Sequence, residues 1–262
     1  MYDLTAKGCM RKTDYSKVAE RFDKNPHRQY SEIDKVLENY IKRTAREEYD
    51  VLDLACGTGN YLAFQVQAFQ DHNINWYGFD ATEEMLQIAR QKVKGVEFSK
   101  GYAENLPYEA ERFDFIINNY AFHHFENKSK ALDEIKRVLR KEGIFKMLNI
   151  SPQHMPKWNI YQYFPHAVAE DQKRFWENAR IFDEFDKRGF DVKIKVDYRM
   201  ERIGLSEFLT EVENRDISQL NIISDKHYEQ GINRIKEELK KNPNSWIIHE
   251  GASLSCIAEK TR

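Results

Sequence analysis

Two glycines and two carboxylates are the residues of this sequence best placed to do chemistry. In YDVLDLACGTGN, residues 49–60, an apolar run carries Asp53 near its end and turns through Gly57 and Gly59. A glycine turn after a buried strand lets backbone approach a ligand closely, because a β-carbon would collide with it. Asp80 closes the next β-like run, 21 residues after Gly59, where an acid can accept hydrogen bonds from vicinal ribose hydroxyls. An adenosine-type ligand follows from that pairing. The turn reads GxG, with Asn60 and Tyr61 next, so it matches the GxGxxG pyrophosphate cradle poorly. It also lacks the lysine or arginine that a phosphate ordinarily seeks.

The elements that must position these groups are legible from periodicity. Short β-rich runs at 49–54, 75–80, 96–101, 113–119 and 144–150 alternate with helical patterns, the signature of βαβ units on a mostly parallel, doubly wound sheet. Thr82 is placed to cap a helix, with Glu83 and Glu84 in its first turn and Met85, Ile88, Ala89 and Val93 on one face. In KSKALDEIKRVLRKEG, Leu132, Ile135, Val138 and Leu139 form a stripe, and Gly143 sits where a left-handed residue would end the helix, so that a strand starts at Ile144. Residues 14–46 read as two helical pieces broken near Pro26. After residue 150 come an aromatic connector, a helix ending near Gly189, a β-like run, helical stretches at 205–222 and 225–241, and a last β run. The expected organisation is a helical cover (1–46), a ligand-binding core (47–151), and a lid insertion with C-terminal strands completing the same sheet (152–262).

Composition excludes several classes. The 262 residues carry 41 Lys and Arg against 43 Asp and Glu, a net charge of −2, so no global field draws the chain to nucleic acid or an anionic membrane. No apolar run approaches the ~18 residues that span a bilayer, and the N-terminus lacks the apolar block of a secretory signal. A cytoplasmic protein with neither membrane nor nucleic-acid partner is expected, as monomer or homodimer. Cys9, Cys56 and Cys256 show no CxxC spacing, so neither a disulfide framework nor a metal is expected.

Taken in order, DLACGTG, GFDATEEMLQIAR, GYAENLPYEAERFDFII, YAFHHF and ALDEIKRVLRKEG resemble class I S-adenosylmethionine-dependent methyltransferases, specifically the ubiquinone/menaquinone-biosynthesis-type small-molecule branch, over roughly residues 49–150. The resemblance implies a Rossmann-like α/β fold with a seven-stranded sheet and S-adenosyl-L-methionine as cofactor. It implies that Asp53, Ala55, Gly57 and Gly59 hold the methionine end and that Asp80 binds both ribose hydroxyls. Ala81 and Met85 would flank the adenine, with Ala103 and Glu104 along its edge. Tyr102 stands where the family commonly has an acid for the adenine amino group. Asn119 and Tyr120 would approach the sulfonium, and Tyr15 the cofactor carboxylate. A sulfonium beside an amino-acid moiety also wants an acid and aromatic faces rather than phosphate-binding amides, and this turn offers Asp53.

His123 and His124 follow the fourth strand at the carboxyl edge of the sheet, where a histidine can take a proton from a nucleophile or simply pack the loop. Arg28 could pair with the cofactor carboxylate or with an acidic substrate. His154, Trp158, Tyr161 and Tyr163 form either an aromatic lid over a small methyl acceptor or packing of the connector onto the core. The expected reaction is in-line methyl transfer to N, O or C of a small organic molecule. The alternatives are an NAD-dependent oxidoreductase and a non-catalytic, cofactor-binding member of the fold.

Overall fold

The computed structural model describes residues 16, 19–25, 29–215 and 217–261. Tyr15, Arg28, Cys9 and Pro26 lie outside the described residues. The apolar runs form β1 (Tyr49–Leu54), β2 (Ile74–Asp80), β3 (Val96–Lys100), β4 (Phe113–Asn119) and β5 (Leu139–Ile150), followed by β6 (Phe190–Gly204) and β7 (Trp246–Lys260). They build one seven-stranded sheet in the order β3-β2-β1-β4-β5-β7-β6. β1 is parallel to β2 and β4, β2 to β3, and β4 to β5, whereas β7 runs antiparallel to β5. The order reverses between β1 and β4, which opens a crevice at their carboxyl ends.

Helices cover both faces of this mixed sheet, so every residue of β1 is buried. On one face Leu52, Leu54 and Ile116 pack with Leu132, Ile135 and Val138 of α5 (Lys128–Val138) and with Ile181 and Phe185 of α8 (Asn178–Asp186). On the other, Val51, Phe115 and Ile117 meet Leu37 and Tyr40 of α2 (Lys35–Thr44), Leu62 of α3 (Asn60–Ala68) and Leu86 of α4 (Glu83–Lys92). Asp34 caps α2 through Val36 N and Leu37 N at 3.0 and 3.2 Å, and its other oxygen takes the Tyr61 hydroxyl and Lys146 Nζ at 2.8 and 2.6 Å. One buried carboxylate thereby ties α2 to α3 and β5. Upstream, α1 (Ala19–Lys24) is a short helix.

Two local expectations are corrected. The stripe helix ends at Val138, and β5 begins at Leu139, paired with Phe113, rather than at Ile144. Glu142, not Gly143, takes the left-handed conformation, at φ 63°. Gly143 is required by crowding instead: a β-carbon there would lie 2.9 Å from Arg140 O and 3.0 Å from Asp114 O. Thr82 occupies the N-cap position of α4 but its side chain makes no capping bond.

The chain divides into two compact units. The larger contains the described residues of 15–155, 174–199 and 251–262; the smaller contains 156–173 and the described residues of 200–250. Within the smaller unit lie α6 (Asn159–Tyr163), α9 (Leu205–Val212), α10 (Ser218–Asn221) and α11 (Asp225–Lys241). The boundary falls inside α7 (Ala167–Arg174). Gly231 of α11 admits the Phe164 ring, whose Cε1 would be 2.3 Å from a β-carbon. No described helix is long and apolar enough to cross a membrane.

Candidate active site

The site at the carboxyl ends of β1 and β2 is built by backbone stitching. Ala55 N and Cys56 N both donate to Phe79 O, at 2.7 and 3.1 Å, and Ala55, Gly57 and Gly59 have φ of 63°, 55° and 75°. Three left-handed residues in five fold the chain sharply from β1 into α3, and two of them are glycines because that conformation costs other residues about 1–2 kcal/mol. Among the described residues, a β-carbon on Gly57 would meet Phe22 Cε1 of α1 at 3.7 Å. On Gly59 it would press against Ala89 Cβ of α4 at 3.1 Å, so the clearance there serves helix packing.

The two acids are treated differently. Asp80 accepts from Gly57 N at 2.9 Å and Thr82 N at 2.8 Å, so it anchors the turn to the start of α4. Burial raises its pKa while these N–H bonds hold it down. Asp53 is 2 % exposed and receives no hydrogen bond from any described residue. Burial, reinforced by the Asp80 charge, pushes its pKa up to about 8.

Around this pair, Met85 and Ala103 are buried and Ala81 is exposed. Glu104 accepts from Asn127 N at 3.0 Å, and Tyr102 is exposed. The sequence reading missed Lys92, whose ammonium binds both Asp23 of α1 and Asn60 of α3. It fastens α1 beside the glycine turn, with Phe22 facing Gly57. The available signal was only a basic residue in the last turn of α4.

At the end of β4, both amide atoms of Asn119 are buried without a partner among the described residues, as is Asn118 Oδ1, while Asn118 Nδ2 donates to Leu54 O at 2.8 Å. Tyr120 follows with φ 53°, its ring half exposed and its N–H bonded to Leu148 O at 2.7 Å. The chain then makes a 3₁₀ turn, Phe122–His124. His123 is buried, stacked 4.3 Å from the Phe175 ring, with Nδ1 3.2 Å from Asn149 Oδ1. Burial, then the His124 and Arg174 charges, drive its pKa well below the ordinary 6.5, so it is a neutral ring and a poor proton acceptor. His124 is half-buried, its ring 3.9 Å from that of His123.

The connector residues part company. His154 lies 5.1 Å from the Tyr198 ring in the larger unit. Trp158, Tyr161 and Tyr163 belong to the smaller one, where the Tyr161 hydroxyl donates to Asp171 at 2.7 Å and the Tyr163 hydroxyl to Glu238 at 2.8 Å. These two hydroxyls are thus engaged within that unit's own fabric. Among the described residues no group of three or more His, Cys, Asp or Glu could hold a metal ion.

Comparison with known proteins identifies the family. A family model described as a methyltransferase domain matches residues 45–188. The ubiquinone/menaquinone biosynthesis C-methyltransferase UbiE of Campylobacter jejuni is 32% identical over 199 residues, covering 66% of this chain and 80% of that protein. Among solved structures, YcgJ of Bacillus subtilis superposes with a TM-score of 0.56 at 23% identity, covering 86% of this chain and 98% of that one. BH2331 of Bacillus halodurans gives 0.60 at 22% identity, covering 86% and 99%. With more than half of its length inside that family model and its site at the switch point of a shared sheet, the chain belongs to the methyltransferase-domain family and is a methyltransferase.

Proposed function

We propose that the reaction is methyl transfer from S-adenosyl-L-methionine to nitrogen, oxygen or carbon of a small organic acceptor. The observation that carries this reading is Asp53: a buried carboxylate with no donor among the described residues, its pKa near 8, is what the ammonium of an amino-acid moiety would satisfy. When bound, the cofactor supplies an electrophilic methyl group on a sulfonium. Asp53 binds the amino-acid end, and the bare backbone of Ala55 and Gly57 lies along it. Asp80, already oriented by two N–H donors, retains lone pairs for ribose hydroxyls. Ala81, Met85, Ala103 and Glu104 border the adenine, and the partnerless Asn119 amide, with Tyr120, faces the transfer site.

Alignment and exclusion of water are the main tasks of such a protein. Where the acceptor must lose a proton, His124 takes it, because His123 is held neutral by burial and serves to hold the turn. The relative UbiE is named as a C-methyltransferase of quinone biosynthesis, which makes an activated ring carbon one acceptor class to test. The cytoplasmic setting forms part of the same proposal. Calorimetric titration with S-adenosylmethionine tests it. Wild-type protein is expected to bind saturably, and Asp80→Ala to bind about tenfold or more weakly with an unchanged far-ultraviolet spectrum. Neither heat nor thermal stabilisation at millimolar ligand would overturn the reading.

A further inference from the structure

One lysine joins three helices around the glycine turn. Lys92 is the last residue of α4, and its ammonium donates both to the carboxylate of Asp23 in α1 and to Oδ1 of Asn60, the first residue of α3. A cation at a helix C-terminus is favoured by the dipole alone, which requires no partner in another helix. The Asn60 amide turns its oxygen to Lys92, and its Nδ2 is buried with no partner among the described residues. Next to Asp23 in α1, the Phe22 ring stands against the turn, its Cε1 3.7 Å from where a β-carbon on Gly57 would be. All of these residues lie within the larger unit.

The helix that carries Phe22 has little of its own to hold it in place. It is 6 residues long, well short of the ~12–15 at which an isolated helix becomes marginally stable in water. Ala19 is its buried residue and Phe22 is half-buried, so the apolar area that α1 removes from water is small. Gln29 Nε2 donates to Asp23 O at 2.9 Å, a bond that stays within the N-terminal segment. The Asp23–Lys92 pair instead crosses to α4, whose Leu86 and Ala89 are buried against the sheet and α3. Both side chains of the pair are only 24 % exposed, so solvent and salt screen it less than a pair on open surface. A short, weakly buried helix is thereby tied to a rigid one at the point where it faces the turn.

We propose that Lys92 is a positioning residue for the cofactor: by holding α1 it keeps the Phe22 ring as a wall over the amino-acid end of S-adenosylmethionine, where that end lies along Gly57, and so slows its escape. The assignment rests on the methyl-transfer reading and adds a residue to it. The test measures amide hydrogen exchange of the ligand-free protein, and the dissociation of tritiated S-adenosylmethionine chased with excess S-adenosylhomocysteine. The proteins compared are wild type, Lys92→Met, Lys92→Arg, Asp23→Asn, Phe22→Ala and the double variant Phe22→Ala/Lys92→Met. The α1 amides are expected to exchange about tenfold or more faster in Lys92→Met and Asp23→Asn, with those of α2 unchanged. Dissociation should be about tenfold faster in Lys92→Met, Asp23→Asn and Phe22→Ala, with association no slower. Lys92→Arg, which keeps the ion pair, should stay near wild type. The double variant should lose no more than Phe22→Ala alone, because Lys92 acts through that ring. Wild-type dissociation from Lys92→Met, or losses that multiply in the double variant, would overturn the assignment. So would a loss in Lys92→Met that Asp23→Asn does not share, since Asp23→Asn spares the bond to Asn60. Wild type that binds no cofactor would remove the methyl-transfer reading and this role with it, whereas cofactor binding left unchanged by every variant would remove this role alone.

Discussion

Replacing Asp53 with asparagine should make the ligand-free protein more stable in mild alkali and worse at its task. The carboxyl's pKa stands at about 8 against an ordinary 3.8. A gap of about four units, at about 1.4 kcal/mol per unit, amounts to on the order of 5 kcal/mol. Because the folded state holds this proton more tightly, the contribution is fully present below pH 3.8, declines as pH rises, and is gone above about 8. Asparagine keeps the shape and cannot ionise, though its new N–H donors cost about 1–3 kcal/mol if unpaired. Denaturant melts from pH 5 to 9 should therefore show wild type losing stability with pH more steeply than Asp53→Asn, with the curves approaching or crossing on the alkaline side. Cofactor binding supplies a second readout. At pH 7 a group of pKa about 8 is roughly nine-tenths protonated, and an incoming ammonium would expel that proton. Calorimetry in buffers of different ionisation enthalpy should give close to one proton released per ligand for wild type and none for Asp53→Asn, whose affinity falls about 10- to 100-fold. Parallel pH slopes, together with binding heats independent of buffer in wild type, would refute the reasoning.

The glycines should separate by cost: Gly57→Ala should lose about 1–2 kcal/mol, the left-handed penalty alone. Gly59→Ala should lose about 1–3 kcal/mol more, because its β-carbon would press on Ala89 at 3.1 Å, a difference readable in urea midpoints. His123→Ala should destabilise by about 2–4 kcal/mol through the lost Phe175 stack, while His124→Ala leaves stability within about 1 kcal/mol and removes the acid limb of the rate profile for any acceptor that must be deprotonated.

β1 and β4 were readable because their apolar runs are short, bounded and buried on both faces, as Val51 and Leu52 are by entering opposite cores. The glycine turn and Asp80 were readable because left-handed backbone and a strand-end acid leave marks in residue type. Gly143 misled for the same reason: glycine was expected to supply a left-handed turn, yet it is there to let two carbonyls approach, and Glu142 supplies the turn. Lys92 and Asn149 were illegible as site residues. Each acts through a contact made by tertiary packing, with Asp23 and His123 respectively, and a lysine or asparagine on a helix or strand looks the same whether or not that contact exists.

The same asymmetry runs through both halves of the site. Asp80 has its donors from the protein and so shapes the turn before any ligand arrives; Asp53 has none among the described residues and waits for one. Asn118 is half-tethered by Leu54 O, while its neighbour Asn119 is left with both amide atoms unmet. Buried polar groups left incomplete lower stability, and here they stand at the carboxyl edge of the strands that flank the switch point. A core optimised for stability alone would have paired or replaced them. Their joint position gives the physical reason to expect a zwitterionic cofactor on the Asp53 side, with its methyl group directed toward the Asn119 side.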